Sequence, residues 1–412
     1  MVCGHRERSE YEPIPTILEY AKEEEPAPVE PEYDIVMLVL NDLSFDGRVR
    51  REAAALAGHG WRVLVIGTQR AGGTLPDDEH ALGFRIRRVR YGRFGHSLRR
   101  PWRWARHILQ AVQIVRALSR IRARVYHAHD LPALLLVAAA RWGRRSETRL
   151  IYDSHELYLH LPRDRSRHGD RLYRLARPIW FAMERRLARG ADAVITVSEP
   201  IARCLAWWYG IPRPVVISNC IDPVPPAPAQ NPYLVHTGDL TNRGRCLDEL
   251  VEAFAAVPEG VDLVFLGNGE ARAALEVRAQ TLGVENRVRF VSPVKPEAVA
   301  ETISDAQAAL VLLRPDSWHS RATLPNKLFE AVAAGLPVVA SDKFAVRRMV
   351  ESYRLGIVCD ATDPAAIAGA IRRILEPERQ AEHRQAIKAA QHRLNWRTEA
   401  ERLAALYREL LP

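Results

Sequence analysis

The sequence is poor in the features that most readily identify a chemistry. Its five cysteines (Cys3, Cys204, Cys220, Cys246 and Cys359) are odd in number, scattered and never spaced as CxxC. That argues against a disulfide framework and against a zinc ribbon. The longest apolar run is LPALLLVAAA, Leu131 to Ala140, far short of the roughly 18–20 residues a membrane span requires. The first residues are charged and hold no apolar core segment, so no secretory leader is expected and a reducing cytoplasm is the expected setting. A GxGxxG turn is also missing. NDLSFDGRVRREA has one glycine, Gly47, and GNGE at 267–270 lacks a third, which sets a dinucleotide cofactor low.

Lysine is scarce beside arginine, and the positive charge is unevenly placed. The 412 residues carry a net charge of +9. Residues 1–34 hold 3 basic and 10 acidic side chains, residues 35–230 hold 33 and 16, and residues 231–412 hold 23 and 24. From Ala81 to His129 there are 13 arginines and no acid, with Trp102 and Trp104 among them. Such a stretch suits anionic lipid, nucleic acid or plain solvation. Residues 85–124 are read here as a face for an anionic membrane surface, and no nucleic acid is expected.

What is present is a regular alternation. Residues 1–33 form an acidic, Pro-rich tail. Short β-branched runs then follow at Ile35–Leu40, Trp61–Gly67, Arg85–Tyr91, Val125–His129, Arg149–Ser154, Ala193–Ser198 and Pro214–Asn219, with helical periodicity between several of them. A Pro-rich linker at 223–232 separates this series from a second: Tyr233–Thr237, Asp262–Gly267, Val288–Val291, Ala308–Leu313, Pro337–Ser341 and Gly356–Cys359. Runs apolar on both faces and separated by helices predict buried parallel sheets. The expected fold class is therefore α/β: two Rossmann-like parallel-sheet domains facing a cleft, at 34–222 and 233–392. Ligands bind where the strands' carboxyl ends meet helix N-termini.

TLPNKLFEAVAAGLPVVASD, residues 323–342, shows this at one turn. Asn326 is a good N-cap, Glu330 is placed in the first helical turn, and Gly335 and Pro337 end the helix. Ordinary punctuation explains the stretch, and so does an anion held on the helix N-terminus beside Lys327. In VYHAHD, His127 and His129 alternate on a strand and share a face. Contact with a substrate, burial as structural histidines, and metal binding with Asp130, His155 and Glu156 all fit that pair.

Taken in order, HAHDLPALL, ITVSEPIARCLAWWYGIPRPVVISNCID, LVHTGDLTNRG, VFLGNGE, PNKLFEAVAAGLPVVASD and WRTEAERLAALYREL resemble the retaining glycosyltransferases of the GT-B fold, the "group 1" or family-four class. The resemblance runs from about Ile35 to Leu411. It implies transfer of a sugar from a nucleoside-diphosphate sugar to an acceptor hydroxyl in cell-envelope, polysaccharide or glycolipid synthesis, with no cofactor and no metal. It places the donor in the C-terminal domain, with Glu330 on the ribose hydroxyls. The pyrophosphate falls on the helix start at Asn326, Lys327 and Leu328, and Gly238, Gly267 and Gly269 lie beside the donor. Arg243 would neutralise the leaving diphosphate, and His129 would reach the transferred sugar. On the weaker acceptor side stand Asp46, Gly47, Arg48, Asp153, His155 and Glu156. The helix at 393–412 is expected to cross back to the N-domain.

Two departures stand out. Ala322 lies where the class carries its first glutamate, and Asp239 follows Gly238 where an arginine is usual. Lys327, Arg314 and Arg321 are candidates to restore the lost charge, Lys327 first. A catalytically silent partner subunit and a nucleotide-sugar epimerase of the same fold are the alternatives these departures leave open.

Overall fold

The computed structural model describes residues 31–91, 100–142, 148–160, 167–227, 232–241, 244–314 and 318–411. Side chains at 100–107, 160 and 167–175 are left aside, so the arginines and tryptophans at 100–106 fall outside the described side chains. Arg243 lies outside the described residues altogether.

Fourteen strands are described: β1 Tyr33–Leu38, β2 Val63–Arg70, β3 Asp78–Ala81, β4 Phe84–Tyr91, β5 Ala123–His129, β6 Arg149–Ser154, β7 Ala193–Thr196, β8 Val215–Val216, β9 Tyr233–Thr237, β10 Asp262–Leu266, β11 Val288–Val291, β12 Ala308–Val311, β13 Val338–Ser341 and β14 Gly356–Cys359. They make two sheets, ordered β3-β4-β2-β1-β5-β6-β7-β8 and β11-β10-β9-β12-β13-β14. Every pairing is parallel except β3 on β4. The two doubly wound α/β halves agree with the expected class. Each sheet is buried on both faces, which is why its strands read as unbroken apolar runs rather than alternating ones.

Sequence and structure differ at two edges, one an overlong run and one a missed strand. The run at Pro214–Asn219 pairs only through Val215 and Val216. The strand Asp78–Ala81 (DEHA) went unread because its side chains are charged and half exposed. Its acids matter: Asp78 pairs with Arg85 and Arg87, Glu79 with Arg88, and neighbouring Asp77 with Arg90. The β4 arginines of the cationic stretch are therefore ion-paired rather than a free positive face.

The last helix, Trp396–Leu410, leaves the C-terminal half and packs on the N-terminal sheet against the helix Gly47–Gly58. Leu403, Leu406 and Tyr407 join the core cluster of β1, β2 and β5. In the opposite direction, the short helix Trp318–Ala322 docks on the N-terminal half. Ala322 joins that half's core, its carbonyl accepts from Ser198 at 2.9 Å, and His319 accepts the Leu157 amide at 3.2 Å. A glutamate in place of Ala322 would bury a carboxylate in an apolar cluster, at a cost on the order of several kcal/mol if unpaired.

Candidate active site in the interdomain cleft

The helix Gly47–Gly58 starts under a local constraint. Asp46 caps it by accepting the Val49 amide at 3.1 Å and is itself held by Asn41 at 2.7 Å. A Cβ on Gly47 would meet the Pro296 side chain of the other half at 3.3 Å. Asp46 and Gly47 thus set the geometry of the cleft wall. They aim Arg48 inward, where it is buried.

Arg48 ties three segments together. Its Nε and Nη2 donate to the Asp153 carboxylate at 3.0–3.2 Å, and Nη1 donates to the Ile217 carbonyl at 2.7 Å and to Asn219 at 2.8 Å. It also pairs with Glu52 one helical turn on, at 2.9 Å. Burial works against ionisation of Asp153, but Arg48 and His155 outweigh it and hold the carboxyl well below its usual range. His155 responds in kind. Burial opposes its charge, Asp153 and Asp130 win, and the imidazole rises to about 9. It is an imidazolium at neutral pH, contacting Asp153 at 3.0 Å and His129 at 3.1 Å.

His129 ends β5 and stacks on His127 with ring centroids 4.2 Å apart, so the two histidines do share a face. Their environments differ. His127 is fully buried and bonds Tyr407 at 2.8 Å; burial and then His129 push its pKa well down, so it is neutral. His129 Nε2 has no hydrogen-bond partner. Asp130, the next residue, sits at φ 66°, a strained conformation for a side chain with a Cβ. Its carboxylate is placed to accept the His155 amide at 3.0 Å.

Of the residues first grouped as metal ligands, the two histidines converge but their expected partners do not. Donor atoms of Glu52, His127, His129 and Asp153 all lie within 4.8 Å of one another, whereas Asp130, His155 and Glu156 stand outside that set. Both carboxylates of the set are already paired with Arg48. A divalent ion there would stand beside a guanidinium, and the positive charge it would bring is already supplied.

The facing wall belongs to the C-terminal half. The helix Asn326–Ala333 begins one residue earlier than read from the sequence. Pro325 is its N-cap and Asn326 its first residue, so Asn326 does not cap. Glu330 consequently lies in the second turn, where it accepts from Thr237 at 2.8 Å. Burial raises its pKa, with Thr237 and Lys327 working the other way. The Leu328 amide is spent on the Pro325 carbonyl at 3.0 Å. The Asn326 and Lys327 amides remain as the open N–H groups of this turn. Lys327 is buried and its Nζ lies 3.1 Å from His236 Nε2 on β9.

Gly238 holds φ 100° with open space where a Cβ would point, so the loop can be approached closely there, although its amide is spent on the Leu266 carbonyl at 2.9 Å. Gly267 and Gly269 have a different duty. A Cβ on them would come within 1.9 Å of the Gly238 carbonyl and 2.2 Å of the Leu240 carbonyl. They let two loops pack and do not themselves open onto the cleft. Asp239 is offset by Arg245 at 3.5 Å, a residue the sequence reading passed over. Arg314 is committed to Glu249 and supplies no charge here. Across the cleft, Asn219 donates to Asn326 at 2.8 Å. A cavity of about 470 Å³ runs between the walls, lined among others by Asp46, Arg48, His155, Glu156, Asn219 and Asn326.

Comparison with known proteins agrees with this architecture. Residues 48–224 match the model Glycosyltransferase Family 4, and residues 221–393 match Glycosyl transferases group 1. The chain belongs to this class of glycosyltransferases, with the GT-B fold. Among curated relatives, it is 35% identical over 147 residues to D-inositol 3-phosphate glycosyltransferase of Corynebacterium urealyticum, covering 35% of this chain and 33% of that protein. It is 30% identical over 162 residues to phosphatidyl-myo-inositol mannosyltransferase of Mycobacterium leprae, covering 38% and 41%. The matched segments thus span about a third to two fifths of those relatives. Among solved structures, sucrose-phosphate synthase of Thermosynechococcus elongatus superposes with a TM-score of 0.70 at 21% identity, covering 91% of this chain and 98% of that one. HepE of Anabaena in complex with UDP-glucose gives 0.66 at 17%, covering 91% and 99%. At these identities the two structures speak for the fold alone.

Proposed function

We propose that this chain is a retaining glycosyltransferase that moves a sugar from a nucleoside-diphosphate sugar to an acceptor hydroxyl without a resident metal. The observation that carries the proposal is the pairing of two unlike walls across one cleft. On the C-terminal wall, Glu330 presents a carboxylate for the ribose hydroxyls, a charge-assisted contact of roughly 1.5–3 kcal/mol. The open amides of Asn326 and Lys327 and the Lys327 side chain receive the diphosphate, which Gly238, lacking a side chain, lets approach closely. As the sugar–oxygen bond breaks, charge grows on the leaving phosphate. Fixed cations there stabilise the transition state more than the ground state. Arg243 is assigned to this role from its sequence position.

The N-terminal wall handles the sugar and acceptor. His129 is buried behind this wall with its Nε2 unpartnered, so it reaches the transferred sugar only if the cleft rearranges on binding, and the 470 Å³ cavity beside His155 and Glu156 takes the acceptor. Proton removal from the acceptor falls to the leaving phosphate, so no side-chain base is needed. Relatives named D-inositol 3-phosphate glycosyltransferase and phosphatidyl-myo-inositol mannosyltransferase favour a small phosphorylated or lipid-linked polyol.

An anionic membrane surface is proposed as the place of work, but not through β4. The support is a set of exposed apolar side chains: Ile108, Leu109 and Val112 on the helix Arg100–Ser119, and Ile179, Trp180 and Met183 on the helix Arg167–Arg189, where Arg185 and Arg186 follow in the same helix. No described helix is long and apolar enough to cross a membrane.

The test is proton NMR of UDP-glucose or GDP-mannose incubated with the protein and inositol phosphate acceptors. Appearance of a glycoside with the donor's anomeric configuration supports the proposal. Inversion contradicts the retaining assignment. Interconversion of the donor without acceptor would favour the epimerase reading.

A further inference from the structure

Lys327 and His236 form a buried pair that ordinary donor-site chemistry does not require. Both side chains are nearly or fully shielded from water, and their nitrogens lie 3.1 Å apart. An ammonium has only donors, so His236 Nε2 must be unprotonated whenever Lys327 is charged, and two charges cannot coexist at this distance in a buried site. His236 is fixed on β9, and its ring packs on Phe265 with centroids 5.8 Å apart, so it cannot move away. The other charged groups facing the pair are Arg245 and Asp239 from the loop after β9, and Glu330 from Lys327's own helix.

We propose that the pair is a proton acceptor completed by the donor: binding of the anionic diphosphate draws one proton from solvent onto Lys327, and His236 holds the resulting ammonium toward the phosphates by accepting its hydrogen bond. This rests on the donor-site reading above and adds a stoichiometry to it. The balance is simple. One proton leaves the buffer and joins the Lys327 lone pair, and no covalent bond to the substrate changes. The electrostatics agree. Burial first and then Arg245 bring Lys327 down to about 7, with Glu330 and Asp239 opposing, while burial and then Lys327 keep His236 neutral. Two new negative charges beside Nζ reverse that balance. His236 is a positioning residue in this scheme, since it reaches the phosphates only through Lys327.

The experiment is calorimetric titration of the full chain with UDP-glucose and with GDP-mannose at pH 8, in two buffers of different ionisation enthalpy. Neither donor titrates in this range, so the buffer-dependent heat counts protons taken up by the protein. Close to one proton per donor is expected. The dissociation constant should weaken about tenfold per pH unit above pH 7, until the bound-state value is reached. Lys327→Met keeps the bulk of the side chain, and in it both the buffer dependence and the pH slope should vanish while weaker binding persists. Tight binding by the unaltered chain with no buffer dependence overturns the proton coupling and leaves the donor site standing. A proton count that survives in Lys327→Met overturns the assignment to this residue. Failure of both donors to bind overturns the donor-site reading, and the coupling with it.

Discussion

The Tyr407 hydroxyl lies 2.8 Å from His127 Nδ1, although the two residues are 280 positions apart in the chain. The last helix of the protein is thereby bonded to the strand that carries His129, and His127 is the stacked neighbour that fixes the His129 ring. Replacing Tyr407 by Phe keeps the packing and leaves a buried polar nitrogen unsatisfied, at a cost of about 1–3 kcal/mol. Urea unfolding should show a lower midpoint with an unchanged slope. An unchanged midpoint would mean that this bond does not secure the crossing helix.

The His155 network contributes stability that is lost as the solution becomes basic. His155 stands at about 9 in the folded chain against 6.5 unfolded, so the folded state holds the extra proton between these values. Its contribution is complete below pH 6.5 and is lost as pH rises through about 9. Asp153 acts at the other end. Its carboxyl is held low, so its contribution is present above the ordinary value of 3.8 and is lost as pH falls below it. Lys327, at about 7 in the folded chain against 10.5 unfolded, works in the opposite sense from pH 7 upward, so the test is a difference: the unfolding free energy of the unaltered chain minus that of His155→Gln should shrink between pH 6.5 and 9, and a constant difference would place the effect elsewhere.

How much of this was legible in the sequence follows from the range of each interaction. Strands buried on both faces announce themselves as β-branched runs, so thirteen of the fourteen described strands could be read and DEHA at 78–81 could not. Helix starts depend on which residue turns out of the helix, and Pro325 takes that place ahead of Asn326. The Arg48 clamp joins residues 105 and 171 positions apart, and no local spacing encodes it. Composition misled at β4, because the absence of acids from Ala81 onward hid Asp77, Asp78 and Glu79 immediately before it. Arg245 could have been found: it is the second cation after the Asp239 that disturbed the pattern, two residues beyond Arg243.

Membrane contact separates into two experiments. Ile179→Ser with Trp180→Ser should reduce co-sedimentation with vesicles rich in phosphatidylglycerol several-fold. Arg87→Ala, which removes an arginine already paired with Asp78, should leave it unchanged. The reverse pattern would return the contact surface to the β4 arginines.

Asp239 is tolerated because Arg245 faces it. Arg245→Met should therefore weaken donor binding by exposing the phosphates to an uncompensated carboxylate, and Asp239→Asn in the same background should restore most of the loss. Additive effects of the two changes would mean that they do not act on each other.

The central claim is a nucleoside-diphosphate site on the wall formed by Gly238, Lys327 and Glu330. Calorimetric titration with UDP and with GDP, in the presence and absence of EDTA, tests it most directly, with NAD⁺ as the control. The account predicts micromolar binding of one of the two diphosphates, indifferent to EDTA and absent for NAD⁺. In Glu330→Ala that binding should weaken roughly 10- to 150-fold, the equivalent of 1.5–3 kcal/mol. Equal affinity in Glu330→Ala, or loss of binding with EDTA, would contradict it.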